Sequence, residues 1–126
     1  MMLASLLAFS CKEKLSVAGD WKIDTVGGEK VTTLEKEAFL SFDENENRVH
    51  GCLGVNTVNG AYTVDGNKIS IGELAMTMMA GLPQDMDTEN KLRNALISVT
   101  SVKSKGAGKL ILMDDSGAAV MTLVRK

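Results

Sequence analysis

The residues best suited to chemistry fall in one stretch of the chain, from Val49 to Gly81. This stretch contains the only histidine, His50, one of the two cysteines, Cys52, and three of the eight methionines. A cysteine nucleophile and its histidine base must lie within hydrogen-bonding distance, about 3 Å. Two residues apart on a β-strand, their Cα atoms would be roughly 6.5 Å apart, with nearly parallel side chains. The spacing therefore argues against a catalytic pair.

The same two side chains could instead share a metal ion, with Asp43 or Glu46 as a further ligand. Zinc sites use three or four protein ligands, and the chain offers no second histidine and no usable second cysteine. We therefore expect a solvent-facing His50 and a small, half-buried Cys52 thiol. A zinc site is the alternative.

A group of methionines carries the second possible chemistry. Met76, Met78 and Met79 lie close together in the sequence, and Met86 follows them. Their thioether sulfurs are ligands that suit Cu(I). Methionine also fills irregular gaps in protein cores, and aromatic residues make up only 4% of this chain. We therefore expect the four side chains to pack in the core beneath a helix, with a copper site as the alternative.

Glycine and asparagine cluster in the same stretch, at Gly51, Gly54, Asn56, Asn59 and Gly60. They could form a binding loop, but both residue types tolerate left-handed backbone, so turns explain them more simply. Asn59-Gly60 is a strong hairpin signal. The chain has no P-loop, no G-x-S-x-G motif and no dinucleotide fingerprint. We expect no catalytic residues, no cofactor and no enzymatic activity.

Composition indicates one globular domain. The chain has 126 residues, of which 44% are hydrophobic and 24% charged. Its net charge is −2, and no run of lysine or arginine stands out. Nucleic-acid binding needs a surface that neutralises phosphates, so we expect no nucleic-acid partner.

The first eleven residues, MMLASLLAFSC, are apolar or small up to Cys11, and a polar KEK follows. This pattern resembles the apolar region and lipobox of a bacterial lipoprotein signal peptide, in which the cysteine becomes the acylated first residue. No basic residue precedes the apolar run, which is a departure from that pattern. We expect Cys11 to be the lipid-attachment site, which leaves Cys52 without a disulfide partner. An apolar N-terminal strand with a buried cysteine is the alternative.

Alternation of apolar and polar residues predicts about eight short strands. In Ala38–Phe42, for example, Ala38, Leu40 and Phe42 share one face. The connections are short, and parallel pairs need long crossovers, so the pairing should be antiparallel. The predicted fold class is α+β: a curled, mostly antiparallel sheet or partly open barrel, closed by one main α-helix.

One segment, Asp85–Thr100, has helical periodicity instead. Its apolar residues recur at i, i+3, i+4 and i+7: Leu92, Ala95, Leu96 and Val99. Asp85 or Asp87 can cap this helix, and Glu89 has the favourable spacing for a surface ion pair with Arg93.

Taken in order, these pieces resemble the META domain of HslJ-like proteins. The matching residues are Gly19, Trp21, Phe42, Gly51, Gly54, Asn56, Gly60, Tyr62, the segment Ile69–Leu74 and the segment Met76–Ala80. The resemblance covers about Ser16 to Val124. It implies a small envelope or secreted domain associated with stress or envelope maintenance.

Two positions depart from that family pattern. In many relatives a Gly-Cys-Asn triplet and a Met-Ala-Cys end each carry a cysteine, and here the two positions are Val55 and Gly81. If those cysteines touch in relatives, their joint absence is self-consistent. Cys52 lies on the opposite strand face and cannot replace the first of them.

We therefore divide the chain into a lipoprotein signal peptide (1–11), a tether (12–18) and a META-like domain (19–126). The expected function is that of a lipid-anchored bacterial envelope lipoprotein with a non-catalytic interaction or structural role. Its expected partners are the membrane, at the periplasmic face or cell surface, and an unknown envelope protein. Because Gly19-x-Trp21 also begins lipocalin-like barrels, a small carrier of an apolar ligand is the alternative.

Overall fold

The computed structural model of the protein describes residues 16–32 and 35–126. The elements are β1 (Gly19–Val26), β2 (Glu29–Lys30), β3 (Phe39–Asp43), β4 (Arg48–Cys52), β5 (Thr57–Asp65), β6 (Lys68–Ile71), β7 (Ala75–Met76), α1 (Pro83–Ser98), β8 (Ser101–Ser104), β9 (Lys109–Met113) and β10 (Ala119–Arg125).

Eight of the strands form a closed antiparallel barrel. Their order is β1-β3-β4-β5-β6-β8-β9-β10, and β10 pairs back with β1, where Trp21 lies opposite Arg125. The two-residue strands β2 and β7 are additions that pair with β1 and β5. The predicted α+β fold is confirmed, and the β1–β10 pairing closes the barrel that the sequence left partly open. Closure removes the exposed sheet edges at which chains aggregate.

Side chains fill the interior of the barrel. Strand alternation turns every second residue inward, so β1 buries Trp21 and Ile23, and β3 buries Leu40 and Phe42. Other fully buried side chains are Val49, Leu53, Leu92, Leu96, Leu110, Leu112, Met121 and Leu123. Small eight-stranded barrels have an interior just wide enough for such a packed core.

Helix α1 connects β6 to β8 across one end of the barrel and packs against β10 and β1. The predicted apolar face is confirmed, because Leu92, Leu96 and Val99 are buried. The predicted start at Asp85 is wrong by two residues. Pro83 occupies the first turn, and Leu82 is the N-cap residue without a side-chain cap.

The capping roles predicted for Asp85 and Asp87 are also wrong. Asp85 points inward and is buried, and its Oδ2 accepts a hydrogen bond of 3.4 Å from the backbone N–H of Glu35. Asp87 is exposed one turn into the helix. Asp85 therefore holds the β2–β3 connection against the helix instead of capping it.

The hairpin turn predicted at Asn59-Gly60 is wrong. Both residues lie inside β5, where Asn59 pairs with His50 and Gly60 pairs with Val49. Of the five clustered glycines and asparagines, Gly54 alone has a positive φ, +113°. Gly60 is needed for space: a Cβ there would come within 2.8 Å of Leu74 Cδ2. A close long-range contact, which the local sequence does not show, therefore explains this glycine.

The chain enters the barrel at the end opposite α1. Val17 lies within the segment assigned as a tether, yet it is buried, and its carbonyl accepts a hydrogen bond of 2.8 Å from Trp21 Nε1. The Arg125 guanidinium stacks over the Trp21 ring, 4.2 Å from its centroid. These contacts fix the N-terminal strand at that end.

Candidate functional site

A groove runs along the outside of the barrel between α1 and the extended segment that precedes it. It has a volume of about 630 Å³. Four of its lining residues are methionines: Met76, Met78, Met79 and Met86. We call this feature the methionine groove.

A second hollow of about 400 Å³ extends the methionine groove along the helix. The two share Leu74, Met76 and Arg93, and the second continues to Ile71 and Ile97. The helical wall of the combined groove is a single face of α1: Met86, Asn90, Arg93 and Ile97. From the first to the last of these residues the wall is about 16 Å long.

The expectation that these methionines fill the core is wrong for Met78 and Met79, whereas Met76 is half-buried and packs against the core. Met78 is 91% exposed and Met79 is 48% exposed, while Met76 and Met86 are partly exposed. Leucines from α1 and the strands occupy the core instead, together with Met121. Scattered single exposed apolar side chains are ordinary, but several in one groove indicate a binding surface.

A buried carboxylate holds the groove together. Glu89 of α1 is 1% exposed. Its Oε1 accepts hydrogen bonds from the backbone N–H groups of Val55 (3.0 Å) and Asn56 (2.6 Å), and its Oε2 accepts one from Asn56 Nδ2 (2.7 Å). A buried charge is costly unless hydrogen bonds satisfy it, and these three do so. Glu89 thereby ties the helix to the β4–β5 connection.

Asn56 extends this link to the methionine-bearing segment. Its Oδ1 accepts hydrogen bonds from the backbone N–H of Met79 (2.6 Å) and the hydroxyl of Thr77 (2.8 Å), and its Nδ2 donates to the carbonyl of Met79 (3.0 Å). Thr77 Oγ1 also accepts a bond from the N–H of Thr57. We call Glu89, Asn56 and Thr77 the polar clamp. It sets both walls of the methionine groove at a defined separation.

Local sequence patterns do not reveal the polar clamp, and two of its members have roles other than those predicted. Asn56 is not the predicted turn former: its φ is not positive, and its side chain binds three other residues. The predicted Glu89–Arg93 ion pair is wrong, because Glu89 points inward and Arg93 stays exposed. One signal was available: Glu89 is three residues before Leu92 and therefore lies on the apolar face of the helix.

His50 and Cys52 do not form a site together. His50 is exposed, as predicted, and its ring lies edge-on to Phe39 with 6.4 Å between centroids. Cys52 is buried instead of half-buried, and its sulfur accepts a hydrogen bond of 3.4 Å from the N–H of Gly54. In residues 16–32 and 35–126, no three histidine, cysteine, aspartate or glutamate side chains are grouped as a metal site requires.

The predicted lipid-attachment residue, Cys11, lies outside the described residues. Within the part of the chain that the structure describes, no helix is long and apolar enough to span a bilayer.

Comparison with known proteins identifies the family. A family model described as the META domain matches residues 13–126. The chain belongs to the META domain family. No curated protein matches it.

Three solved structures share the fold of this META domain. A DUF4847 family protein from Bacteroides vulgatus superposes with a TM-score of 0.64 at 14% identity, over 86% of this chain and 93% of that one. A protein from Burkholderia xenovorans superposes with a TM-score of 0.64 at 19% identity, over 96% of this chain and 99% of that one. A third structure, determined by NMR, superposes with a TM-score of 0.63 at 22% identity, over 84% of this chain and 87% of that one. At these identities the likeness shows the fold alone.

The META domain structure also brings together Val55 and Gly81, the two positions at which the sequence departs from the expected family pattern. Gly81 packs directly on Val55, and a Cβ at Gly81 would lie 2.7 Å from Val55 Cγ2. The contact borders the polar clamp, since Val55 donates a hydrogen bond to Glu89. Positions 55 and 81 are therefore in contact in this chain.

Proposed function

We propose that this META domain protein is a lipid-anchored envelope lipoprotein that acts by binding through the methionine groove, and not by catalysis. The observation that carries the proposal is the exposure of Met78 and Met79 beside a polar clamp whose Glu89 and Asn56 are buried. Methionine is adaptable and polarizable, which suits it to surfaces that bind apolar segments. The proposed partner is an apolar, extended segment of another envelope protein.

The dimensions of the groove suit such a segment. A wall of about 16 Å matches roughly five residues of extended chain. The N–H of Thr77 donates to the carbonyl of Thr57 in β5. Backbone groups alternate in direction along a strand, so those of Met76 point away from β5, where an added strand can pair with them. Arg93 lies midway along the wall and favours an acidic residue in the partner.

The proposed anchor would orient this surface. Ser16 is five positions after Cys11, so the start of the described chain would lie within about 18 Å of the membrane. The methionine groove lies beside α1, at the other end of the barrel. It would then face away from the lipid and toward partners.

Mass spectrometry of the protein from its native host tests the anchor. We expect a mature chain that begins at diacylated or triacylated Cys11, and a C11A variant that loses the modification. An unmodified Met1 or Met2 in a soluble fraction would overturn the anchor.

Site-specific photo-crosslinking in intact cells tests the binding surface. A photoreactive residue at Met78 should give an adduct with one envelope protein, and the same residue at exposed Asn45, at the other end of the barrel, should give none. A Met79→Lys change should abolish the adduct, whereas Met79→Leu should preserve it. Equal adducts from Met78 and Asn45 would overturn the proposed surface.

The second candidate function is the carriage of a small apolar ligand. The groove volume of about 630 Å³ favours it, because small-molecule sites commonly measure about 300–1,000 Å³. The packed barrel interior argues against a ligand held inside the barrel, as in lipocalins. Displacement of a fluorescent fatty acid from the purified protein would support carriage, and an absence of probe binding would contradict it.

A further inference from the structure

We propose that the methionine groove is a thioether site for Cu(I), with ligands drawn from Met76, Met78, Met79 and Met86. This inference rests on the groove being the binding surface, but it needs neither the lipid anchor nor a protein partner. It follows from where the structure places the four side chains. They span eleven residues of the sequence, from β7 to α1, and the fold makes all four line one groove.

The donor set suits a soft monovalent cation. Thioethers are soft, neutral ligands that select Cu(I), whereas Zn²⁺, Mg²⁺ and Ca²⁺ require imidazole, thiolate or oxygen ligands. The carboxylate that reaches the methionine groove, Glu89, already accepts three hydrogen bonds. The positive charge of Arg93 further disfavours a divalent ion.

The polar clamp positions the thioethers from both sides. Glu89 lies three residues after Met86 in α1, so the two side chains are neighbours on the helix surface. The hydrogen bonds of Glu89 therefore hold the part of the helix that carries Met86. Through Asn56 it also holds the backbone of Met79 by two hydrogen bonds. Met78 and Met79 are unbranched and exposed, so their side chains can rotate toward an ion beside the partly exposed Met76 and Met86.

Binding is a ligand exchange without electron transfer. Cu(I) leaves its donor ligands and forms Cu–S bonds to thioether sulfurs, which carry no proton to lose. Copper stays monovalent throughout. A Cu(I) complex from another carrier is therefore the required co-reactant.

The test uses the full chain under anaerobic conditions, titrated with Cu(I) in competition with a chromogenic Cu(I) chelator. Ag(I), which is soft and redox-inert, serves as a second probe in NMR spectra of ¹³C-methyl-labelled methionine. We expect one ion per chain. The methyl signals of the four groove methionines should shift, and those of Met113 and Met121 should not.

Leucine substitutions separate metal binding from apolar contact. The M78L/M79L variant keeps an apolar surface but removes two sulfurs, so Cu(I) affinity should fall by about tenfold or more. M113L, which changes a methionine outside the groove, is the matched control and should bind like the wild type. Because leucine preserves the apolar surface, the adduct formed by a photoreactive residue at position 78 should survive Met79→Leu.

Three results would overturn the copper site. They are unchanged affinity in M78L/M79L, unshifted groove methyl signals at saturating Ag(I), and loss of binding in a C52A variant, which would assign the ion to the buried thiol. Each leaves the crosslinking test of the proposed function intact. Conversely, failed crosslinking with retained Cu(I) binding would reject the protein partner and support the metal site.

Discussion

Gly81 and Val55 are in direct contact, although 26 positions separate them in the chain. A Cβ at Gly81 would lie 3.4 Å from Val55 Cβ, 3.0 Å from Cγ1 and 2.7 Å from Cγ2. Valine is branched at Cβ and cannot rotate both methyl groups away. The pair therefore joins the end of the methionine-bearing segment to the β4–β5 connection.

A V55C/G81C variant should form a disulfide. The Cβ separation of 3.4 Å is close to the 3.5–4.5 Å range of natural disulfides. We expect the bond to stabilise the fold by about 2–4 kcal/mol, measured by urea unfolding with and without reductant. Peptide mapping should link positions 55 and 81 and leave Cys52 as a free thiol.

The single variants provide the control. G81A keeps Val55 and forces a Cβ into its methyl groups, so it should destabilise the protein by about 1–3 kcal/mol. V55A/G81A should recover much of that loss. If V55C/G81C stays reduced under oxidising conditions, the contact is wrong.

Glu89 should be the polar residue that matters most to the fold around the groove. In E89Q the new amide NH₂ meets the donor Asn56 Nδ2, so a buried hydrogen bond becomes a donor–donor contact. We expect a loss of about 1–3 kcal/mol in the free energy of unfolding, together with large shifts of the Val55 and Asn56 amide signals. D87N, at an exposed acidic position of the same helix, should change stability by less than about 0.5 kcal/mol. Equal effects of E89Q and D87N would contradict the clamp.

Gly51 should tolerate no side chain, for a reason of space. It lies in the middle of β4 opposite Leu40, and a Cβ would clash with the carbonyl oxygen of Phe39 on the neighbouring strand. Because a closed barrel cannot easily shift one strand, G51A should cost about 3 kcal/mol or more. G72A is the matched control: its Cβ would meet only Ala61 O, at an ordinary 3.5 Å. Thermal unfolding of the two variants checks the difference.

Asp114 should make stability depend on pH in the acid range. Its Oδ1 accepts hydrogen bonds from the Ser116 hydroxyl and from the N–H groups of Ser116 and Ala118 in the β9–β10 turn. The Ser116 hydroxyl first, and then the Ala118 N–H, lower the pKa of Asp114 from its ordinary value of 3.8. A folded-state pKa below the unfolded one contributes stability above pH 3.8, and this contribution disappears as the pH falls through the lowered pKa.

The D114A variant tests the direction of this pH dependence of stability. Urea unfolding should show D114A to be less stable than the wild type at neutral pH, with the difference shrinking as the solution is acidified below pH 3.8. D115A, at the neighbouring exposed position, should show no such convergence. A difference that grows on acidification would reverse the assigned role.

Local periodicity was sufficient to predict the elements and their buried faces. Alternation places Trp21 and Ile23, and likewise Leu40 and Phe42, on the inner surface, and the structure buries all four. The helical spacing of Leu92, Leu96 and Val99 likewise predicts one buried face, and the structure buries all three side chains. These predictions hold because side-chain direction along a strand or helix depends on the backbone period alone.

Turns and helix caps were predicted less well, since contacts with residues distant in sequence compete with the local preference. Asn59-Gly60 is a good turn sequence, but the β4–β5 pairing and the approach of Leu74 keep both residues in a strand. Asp85 is a good cap residue, but it bonds to Glu35 instead. In each case a contact distant in sequence outweighs a local preference of about 1 kcal/mol.

The sequence by itself determined an α+β chain of short antiparallel strands with one amphipathic helix, and it indicated the META domain family. Only the tertiary structure decided that β1 pairs with β10, that Glu89 meets Asn56, and that Met78 and Met79 lie at the surface. Periodicity states which side chains share a face. Which faces are then covered depends on contacts between residues far apart in the chain, and those form only when the barrel closes.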